Sequence, residues 1–307
     1  MAAIIDVQHL RKSYADTVAV DDVSFAVSEG EIFGILGPNG AGKTTTVECV
    51  EGLRASSAGQ IRVLGLDPRR DHVELTQRLG VQLQDSQLPE RLRVAEALEL
   101  YSSFYRAPAD WRELIDRLGL ADQAGTRFGK LSGGQRQRLS IALALVGNPR
   151  VAVFDELTTG LDPQARRDTW ELIEGVRTQG VTIMLVTHFM AEAERLCDRV
   201  ALIDAGRVVV LDTPAALVDR VGTGQRIRFR PSAPLDDELL TGLPDVTGVT
   251  RRGGVVMVTG NSNALNAVTA LLARHRIAAE HLQLEQASLE DVFVALTSGI
   301  QSPRAER

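Results

Sequence analysis

The stretch Gly37-Pro38-Asn39-Gly40-Ala41-Gly42-Lys43-Thr44 fits the pattern G-x-x-x-x-G-K-[ST] at every fixed position. Its glycines allow a tight backbone turn in which consecutive N–H groups point inward, as phosphate oxygens require. Lys43 is placed to reach the β- and γ-phosphates of a nucleotide, and the Thr44 hydroxyl is placed to bind Mg²⁺. A buried strand is predicted over 31–36 and a helix over 43–50. The alternative is a glycine-rich turn without a ligand, but the flanking strand and helix favour a phosphate-binding loop.

Composition is that of an ordinary globular protein and argues against some classes of function. The 307 residues could hold two domains, and the net charge of −6 argues against nucleic-acid binding, which needs clustered positive charge. The two cysteines, Cys49 and Cys197, fit a reducing compartment. No run approaches the roughly 20 apolar residues that span a bilayer, and the N-terminus lacks the pattern of a secretory signal. We therefore expect a soluble chain that acts at a membrane only through a separate membrane-embedded partner.

Apolar periodicity divides the sequence into an α/β core, a helical insert and a small second domain. Residues 1–222 are predicted to form the core, with a mostly helical insert at about 85–148. Residues 223–300 are predicted to form a small α/β domain, and 301–307 a frayed polar tail.

Individual strands and helices follow from the same periodicities. Further strands are predicted at 4–10, 23–27, 151–154, 181–186, 200–203, 208–211, 226–230, 254–258 and 282–284. Further helices are predicted at 94–100, 111–118, 135–146, 264–273 and 288–296. Ser288 is the predicted N-cap of the last helix, and Asp291 approximates a capping box with it.

Two carboxylates end the apolar strand over 150–156. A carboxylate at such a strand tip can hold Mg²⁺ through water beside a phosphate loop, and the next one can polarise an attacking water. These residues are Asp155 and Glu156. The alternative is an ordinary strand followed by a polar turn.

The segment Leu131-Ser132-Gly133-Gly134-Gln135 opens the amphipathic stretch 135–146. Bare N–H groups at such a helix start form a second place where an anion can bind. A plain N-cap with a flexible glycine entry is the alternative.

Taken together, these segments resemble the ATP-binding subunit of ABC transporters. The resemblance covers about residues 3–220 and rests on motifs in the family's order: 37–45, Gln84, 131–135, 151–156, Gly160-Leu161-Asp162 and His188. The segment 131–135 is the most specific motif, since other phosphate-loop ATPases lack it. The resemblance implies a phosphate-loop NTPase fold of class α/β. Its parts would be a RecA-like core, an antiparallel β edge, a helical subdomain and a small C-terminal accessory domain.

The resemblance also implies the cofactors ATP and Mg²⁺ and a role for each matching residue. The phosphates of ATP would be held by Gly37, Pro38, Asn39, Gly40, Ala41, Gly42, Lys43, Thr44 and Thr45. Mg²⁺ would be bound by Thr44, Gln84 and Asp155. The catalytic groups would be Glu156 on the attacking water, His188 on the γ-phosphate, and Gln84. A second copy of the chain would complete the site with Ser132, Gly133, Gly134 and Gln135.

Two further roles concern adenine and the dimer contact. Tyr14 would stack on adenine, and a tyrosine on an edge strand without a ligand is the alternative. Asp162 would lie at the dimer contact. Gln84 as an exposed loop glutamine and His188 as a structural histidine are the corresponding alternatives. Leu157 stands where most of the family has proline, and this departure leaves both carboxylates in place.

The subgroup of the family is indicated by residues 187–199 and 289–296. Both resemble cassettes of the multidrug or antibiotic-exporter type (ABC-2), which pair with a separate membrane permease. The resemblance implies a homodimeric motor at the cytoplasmic face of the membrane that exports drug-like or lipid-like molecules. Two alternatives stay open: an importer ATPase, and a non-transport ABC ATPase acting on ribosomes or DNA. No nucleic-acid partner is expected, because the net charge is acidic and neither a second cassette nor a long coiled coil is present.

Overall fold

The structure is a computed structural model that describes residues 3–82, 88–220, 225–261, 263–285 and 288–298. The chain separates into two compact units, Met1–Pro214 and Ala215–Arg307. The division falls eight residues before the boundary predicted after residue 222, and the exact domain bounds stay a prediction. Within the described residues, no helix combines the length and the apolar character needed to cross a bilayer.

The first unit is built on a sheet of nine described strands. They are β1 (Ile5–Tyr14), β2 (Thr17–Val27), β3 (Ile32–Leu36), β4 (Ala58–Val63), β5 (Leu79–Gln82), β6 (Val151–Asp155), β7 (Thr182–Thr187), β8 (Arg199–Asp204) and β9 (Arg207–Asp212). The sheet order is β4-β1-β2-β9-β8-β3-β7-β6-β5. The strands from β8 to β5 run parallel, whereas β1 pairs antiparallel with both β2 and β4. The predicted α/β core with an antiparallel edge is thereby confirmed.

Burial explains why the central strands read as continuous apolar runs. Every residue of β3, β6 and β7 is buried, as expected for parallel strands that are covered on both faces. The helices of the first unit are α1 (Lys43–Val50), α2 (His72–Thr76), α3 (Val94–Ser102), α4 (Trp111–Arg117), α5 (Gly133–Leu145), α6 (Pro163–Thr178) and α7 (Met190–Leu196). The predicted helical insert contains α3, α4 and α5, and the described part of residues 88–148 holds no strand.

The second unit is a four-stranded antiparallel sheet with helices. The strands β10 (Gln225–Pro231), β11 (Val246–Arg252), β12 (Val255–Gly260) and β13 (Ala279–Glu285) lie in the order β11-β12-β10-β13. Helix α8 (Pro214–Arg220) leads into this unit, and α9 (Asp237–Thr241), α10 (Ala264–Arg274) and α11 (Leu289–Ser298) follow. Ile227, Phe229 and Val258 form its core with Val268 of α10.

The capping box predicted for the last helix is present. The Ser288 amide donates to the Asp291 carboxylate at 3.0 Å, and the Asp291 amide donates back to the Ser288 hydroxyl at 3.4 Å. These two bonds satisfy N–H groups that the first turn of α11 would otherwise leave free.

The glycines of the phosphate loop are required by space as well as by conformation. Gly42 has φ +98°, and a Cβ there would lie 2.3 Å from the carbonyl oxygen of Ala19. At Gly37 a Cβ would lie 2.1 Å from the carbonyl oxygen of Ile203. The loop is therefore held between the strand β2 and the end of β8, and no larger residue fits at either position.

Replacing Gly42 with alanine is expected to destabilise the first unit by at least about 2 kcal/mol, because positive φ and the Ala19 contact both oppose a side chain. The midpoint of urea unfolding, followed by the fluorescence of Trp111 and Trp170, measures the effect without nucleotide. Gly175→Ala is the matched control, since an added Cβ in α6 meets nothing within 4 Å. That change is expected to stabilise by about 0.5–1 kcal/mol. Equal midpoints for the two variants would contradict this account of the loop.

Candidate functional site

The predicted site lies where three neighbouring parallel strands end. β7 lies between β3 and β6, with Leu36 paired to Thr187 and Asp155 paired to Val186. The loops that follow these strands carry the phosphate loop, Glu156 and His188. Ligands of α/β proteins bind at the carboxyl ends of such strands. The fold thus brings together residues that are far apart in sequence.

Lys43 lies over the phosphate loop that precedes it. Its Nζ donates to the carbonyl oxygens of Gly37 at 2.8 Å and Pro38 at 3.0 Å. Burial lowers the pKa of the Lys43 ammonium, while the carboxylates of Glu156 and Asp155 act to raise it. The ammonium is therefore poorly solvated, and an arriving phosphate would offer stronger acceptors than the two carbonyl groups.

The start of α1 is arranged to bind an anion. Gly42 is the N-cap and provides no side-chain hydrogen bond, so the N–H groups of the first turn stay available. Thr44 is exposed at this helix start and Thr45 is half-buried. Asn39 and Gly40 are exposed at the tip of the loop, and Ala41 is buried beneath it. The residues predicted to hold phosphates thus surround one helix N-terminus.

Asp155 is a buried carboxylate with an unsatisfied oxygen. The residue is 6% exposed, and its Oδ1 atom has no hydrogen-bond partner among the described residues. Burial raises the pKa of Asp155 to about 6, with further contributions from Glu156 and Glu48, while Lys43 opposes the shift. A buried carboxylate that lacks a donor is suited to a cation.

The side chains at this site provide donor atoms of the kind that Mg²⁺ binds. The Asp155 carboxylate and the Thr44 hydroxyl are both oxygen donors, which Mg²⁺ prefers. The described part of the chain contains no group of three or more His, Cys, Asp or Glu side chains that could hold a metal by themselves. Mg²⁺ would therefore depend on phosphate oxygens and water for most of its ligands, as is usual in nucleotide sites.

Replacing Asp155 with asparagine is expected to stabilise the nucleotide-free chain by about 1–3 kcal/mol at pH 8, because it removes an unpaired buried charge. The pKa of Asp155 is raised on folding, so ionisation destabilises the folded state above about pH 6, and protonation relieves this as the pH falls toward the unfolded value of 3.8. The gain should therefore shrink at pH 5. Urea unfolding at both pH values measures it. The exposed Asp122, changed to asparagine, serves as control, and a variant less stable than the parent at pH 8 would refute the prediction.

Glu156 and His188 form a direct pair at the edge of the site. His188 Nδ1 lies 3.1 Å from Glu156 Oε1, and the two side chains are 37% and 14% exposed, respectively. Glu156 has φ +50°, which is uncommon outside glycine, and its amide donates to the Val186 carbonyl at 2.9 Å. The backbone therefore turns sharply at the end of β6, and the imidazole and the carboxylate restrict each other's orientation.

The segment 131–135 is an N-terminal helix cap in which Gly133 is exposed and Gly134 is half-buried. The Gln135 amide donates to the Ser132 hydroxyl at 3.2 Å, and the Ser132 amide donates to Gln135 Oε1 at 2.9 Å. Ser132 and Gly133 are exposed, and the amides of Gly133 and Gly134 belong to the first turn of α5, where no intrahelical acceptor exists. The structure thus supports both readings of this segment: it is a cap, and it presents free donors.

Asp162 and Tyr14 occupy positions with simple structural roles. Asp162 caps α6 by accepting from the amides of Gln164 at 2.9 Å and Ala165 at 3.0 Å, and these bonds lower its pKa. Tyr14 ends β1 with 37% of its surface exposed, and the Lys12 ammonium lies 4.8 Å from its ring centroid. The contact with a partner and the stacking on adenine stay predictions. Gln84 lies outside the described residues.

The family is identified by comparison with known proteins. Residues 20–159 match the sequence family described as ABC transporter. The "Nod factor export ATP-binding protein I" of Paraburkholderia xenovorans is 39% identical over 305 residues, which is 96% of this chain and 97% of that protein. A "Daunorubicin resistance ATP-binding protein" of Streptomyces coeruleorubidus is 36% identical over 95% of each chain.

Solved structures share the fold of the first unit. CbiO1 of Clostridium perfringens, part of an ABC transporter complex, has a TM-score of 0.66 at 27% identity over 72% of this chain and 92% of that chain. The ATP-binding cassette MJ0796, in a dimeric post-hydrolysis state with ADP and phosphate, has a TM-score of 0.61 at 26% identity, over 68% of this chain and 98% of that one.

The chain belongs to the ATP-binding subunits of ABC transporters, and it is an ATP-binding ATPase. Subunits of this family dimerise and act with a separate membrane permease. The prediction of an exporter-type subunit is confirmed by relatives that match almost the whole chain, including its second unit.

Proposed function

We propose that two copies of this chain hydrolyse two Mg²⁺-bound ATP molecules in shared sites and thereby drive a membrane permease that exports drug-like or lipid-like molecules. The observation that carries the proposal is the convergence of Lys43, Asp155 and the Glu156–His188 pair at the ends of three adjacent strands. This group provides a cation, an unsatisfied metal-binding oxygen and a general base in one place.

We assign each of these residues a role in the binding or hydrolysis of ATP. Lys43 and the N-terminus of α1 bind the phosphates, and Thr44, Asp155 and Gln84 hold Mg²⁺, which neutralises phosphate charge. Glu156 accepts a proton from the attacking water. Its carboxylate is half-buried, and it is close enough to Lys43 of the phosphate loop to act on the pKa of that ammonium. His188 donates from Nδ1 to the Glu156 carboxylate at 3.1 Å, and with both ring nitrogens protonated it also donates from Nε2 to the γ-phosphate. Tyr14 stacks on adenine.

A second copy is needed because one chain carries only one segment of each kind. The exposed Ser132 and Gly133, with Gly134 and Gln135, offer amide donors at a helix N-terminus, and a γ-phosphate provides the charge that these donors lack. Asp162 is also exposed, and it is the N-cap of α6, the next helix in the chain after α5. Because closing the pair satisfies the γ-phosphate and hydrolysis removes it, ATP favours the closed dimer and ADP the open one.

The names of the relatives favour export over the alternatives. Export of Nod factors and resistance to daunorubicin are named for proteins that match the chain along its whole length. One of these names concerns resistance to a drug, and we propose a drug-like or lipid-like substrate. An importer motor, or an ATPase of ribosomes or DNA, lacks a supporting observation of this kind. The working location is the cytoplasmic face of the membrane, where ATP is available.

Cross-linking between two variants that each carry one added cysteine tests the shared site. Asn39→Cys places a thiol at the tip of the phosphate loop and Ser132→Cys places one at the glycine segment, both exposed, whereas the native Cys49 and Cys197 are buried. Each variant also carries Glu156→Gln, which is expected to preserve the ATP-bound state. A mixture of the two should form a cross-linked dimer with ATP and Mg²⁺ but not with ADP. Each variant alone is the control, and absence of an ATP-dependent product in the mixture would refute the proposal.

A further inference from the structure

A buried glutamate joins the segment after β6 to helices α6 and α7. Glu192 of α7 is 0% exposed, and its Oε1 atom accepts two hydrogen bonds. The Thr158 hydroxyl donates to it at 2.9 Å, and the indole N–H of Trp170 in α6 donates at 3.1 Å. One carboxylate oxygen therefore connects two helices with the chain segment that follows Glu156. The roles assigned above do not include Glu192.

The other oxygen of this carboxylate is left without a hydrogen bond. Glu192 Oε2 is buried and has no hydrogen-bond partner among the described residues. An unsatisfied buried polar atom costs desolvation free energy, and such atoms are few in native proteins. Proteins tolerate departures of this kind mainly at functional sites, where the geometry of the site matters more than stability. The contact of Glu192 with its two donors is therefore a candidate for a role in the reaction.

The hydrogen bond between Thr158 and Glu192 joins the two chain segments that carry the catalytic pair. Thr158 follows Glu156 by two residues and is fully buried, and Glu192 follows His188 by four residues, about one helical turn. The Thr159 amide donates to the Glu156 carbonyl at 3.2 Å, so a turn separates Glu156 from the anchored segment. Because both links are short and ordered, the hydrogen bond limits how far Glu156 and His188 can move apart.

Helix α6 also reaches His188 through a stack of side chains. The guanidinium carbon of Arg166 lies 4.6 Å from the ring centroid of Phe189, and that ring lies 4.2 Å from the ring of His188, centroid to centroid. Arg166 is four residues before Trp170 on α6. The contact between α6 and α7 that Glu192 holds therefore also bears on the orientation of the imidazole.

We propose that Glu192 is a positioning residue for ATP hydrolysis. By accepting from Thr158 and Trp170, Glu192 holds the segment after β6 against α6 and α7. The Glu156 carboxylate thereby stays in contact with the His188 imidazole. The inference rests on the roles proposed above for this pair, since Glu192 is fully buried and acts only through it.

Glu192 should affect the rate of hydrolysis more than the affinity for ATP. Misplacing a reacting group by about 1 Å can lower a rate by about a hundredfold. In the proposed function, ATP is bound by Lys43 and the start of α1, which follow β3 and are not bonded to Glu192. Loss of the acceptor should therefore lower kcat and leave the binding of ATP unchanged.

The first test compares Glu192→Leu with Glu192→Gln in the full chain. Leucine removes the acceptor of both hydrogen bonds, so kcat should fall at least about tenfold, while the dissociation constant for ATP changes by less than about twofold. Glutamine keeps an oxygen that can accept both bonds, so at least about a third of kcat should remain. Glu31→Leu is the matched control, because Glu31 is a buried glutamate before β3, at the opposite end of the sheet from the site. Its kcat should stay within about twofold of wild type at a temperature where both are folded.

Variants of the two donors test the same contact from the other side. Thr158→Val and Trp170→Phe each remove one hydrogen-bond donor with little change in the size of the side chain. Each should lower kcat at least about threefold without changing the affinity for ATP. These two variants decide the question if Glu192→Leu does not fold.

A double-mutant cycle with Glu156→Gln separates positioning from a general loss of stability. If Glu192 acts through Glu156, Glu192→Leu should lower the residual rate of the Glu156→Gln variant by less than about threefold, compared with at least about tenfold in the wild-type chain. Equal losses in both backgrounds overturn the inference. So does a wild-type kcat in Glu192→Leu, or a Glu192→Gln variant as slow as Glu192→Leu.

The same cycle distinguishes a failure of this inference from a failure of the proposed function. If Glu156→Gln hydrolyses ATP at the parent rate, the role assigned to Glu156 is wrong, and the inference about Glu192 fails with it. If Glu156→Gln is slow and Glu192→Leu is as fast as wild type, only the inference about Glu192 is wrong.

Discussion

The variant Glu156→Gln is expected to bind ATP with nearly wild-type affinity and to hydrolyse it at least about a hundredfold more slowly. Glutamine has the size of glutamate and can keep a hydrogen bond to His188, which lies 3.1 Å away, so the local geometry is preserved. The amide cannot accept a proton from water at neutral pH. We therefore expect this variant to keep its affinity for ATP and to lose most of its ATP hydrolysis.

The same variant should also change the oligomeric state of the chain. Because ATP is not converted to ADP, the γ-phosphate continues to hold both copies, and a stable dimer should accumulate. Steady-state phosphate release measures the rate, and sedimentation with ATP and Mg²⁺ measures the dimer. The matched control is Glu174→Gln, which removes a carboxylate that is bonded to Arg195 on the surface. Hydrolysis by Glu156→Gln at the parent rate would show that Glu156 is not the catalytic base.

The centre of the fold could be predicted because local signals and burial agree there. The helix predicted at 43–50 is α1, and the strands predicted around 32–36 and 151–154 are β3 and β6 within one residue. The two strands are short and almost entirely apolar, and a glycine or a glutamate follows each of them. Since parallel strands are buried on both faces, their sequences need no periodicity to be recognised.

Elements at the edges were missed for identifiable reasons. Strand β4 was not predicted, because only Ile61 and Val63 are buried in it and its position depends on pairing with β1. Helix α6 was also not predicted, although Asp162 caps it, Pro163 follows, and its buried Thr169, Ile173 and Val176 have helical spacing. Those signals were present in the sequence, but Asp162 was interpreted only as a dimer contact.

The site residues differ in how far sequence could define them. Lys43, Asp155 and Glu156 were placed by their motifs, and the structure brings them to one edge of the sheet. The burial of Glu51, which is 3% exposed directly after α1, was not predicted, because a glutamate at the end of a helix is normally solvated. No local pattern in the sequence records this burial.

The variant Lys43→Ala is expected to lose ATP affinity by at least about a hundredfold, because it removes hydrogen bonds from a cation to two phosphates. Burial penalises the charge of Lys43, and in the absence of nucleotide the hydrogen-bond acceptors of its Nζ among the described residues are the carbonyl oxygens of Gly37 and Pro38. A phosphate supplies full negative charge in their place. The Lys43 ammonium therefore interacts more strongly with bound ATP than with the two carbonyl groups. It contributes little to the stability of the nucleotide-free chain.

Two measurements distinguish this account from simple misfolding. Without nucleotide, Lys43→Ala should melt at or above the wild-type temperature, since a poorly solvated cation has been removed. With millimolar ATP and Mg²⁺, the wild-type chain should be stabilised by several degrees and the variant should not, because only bound ligand shifts the folding equilibrium. Arg150→Ala is the control, as it removes a cation that is paired with Glu29 on the surface. A variant that melts below wild type without ligand, or that keeps the ATP-induced shift, would mean that Lys43 supports the fold and does not bind the phosphates.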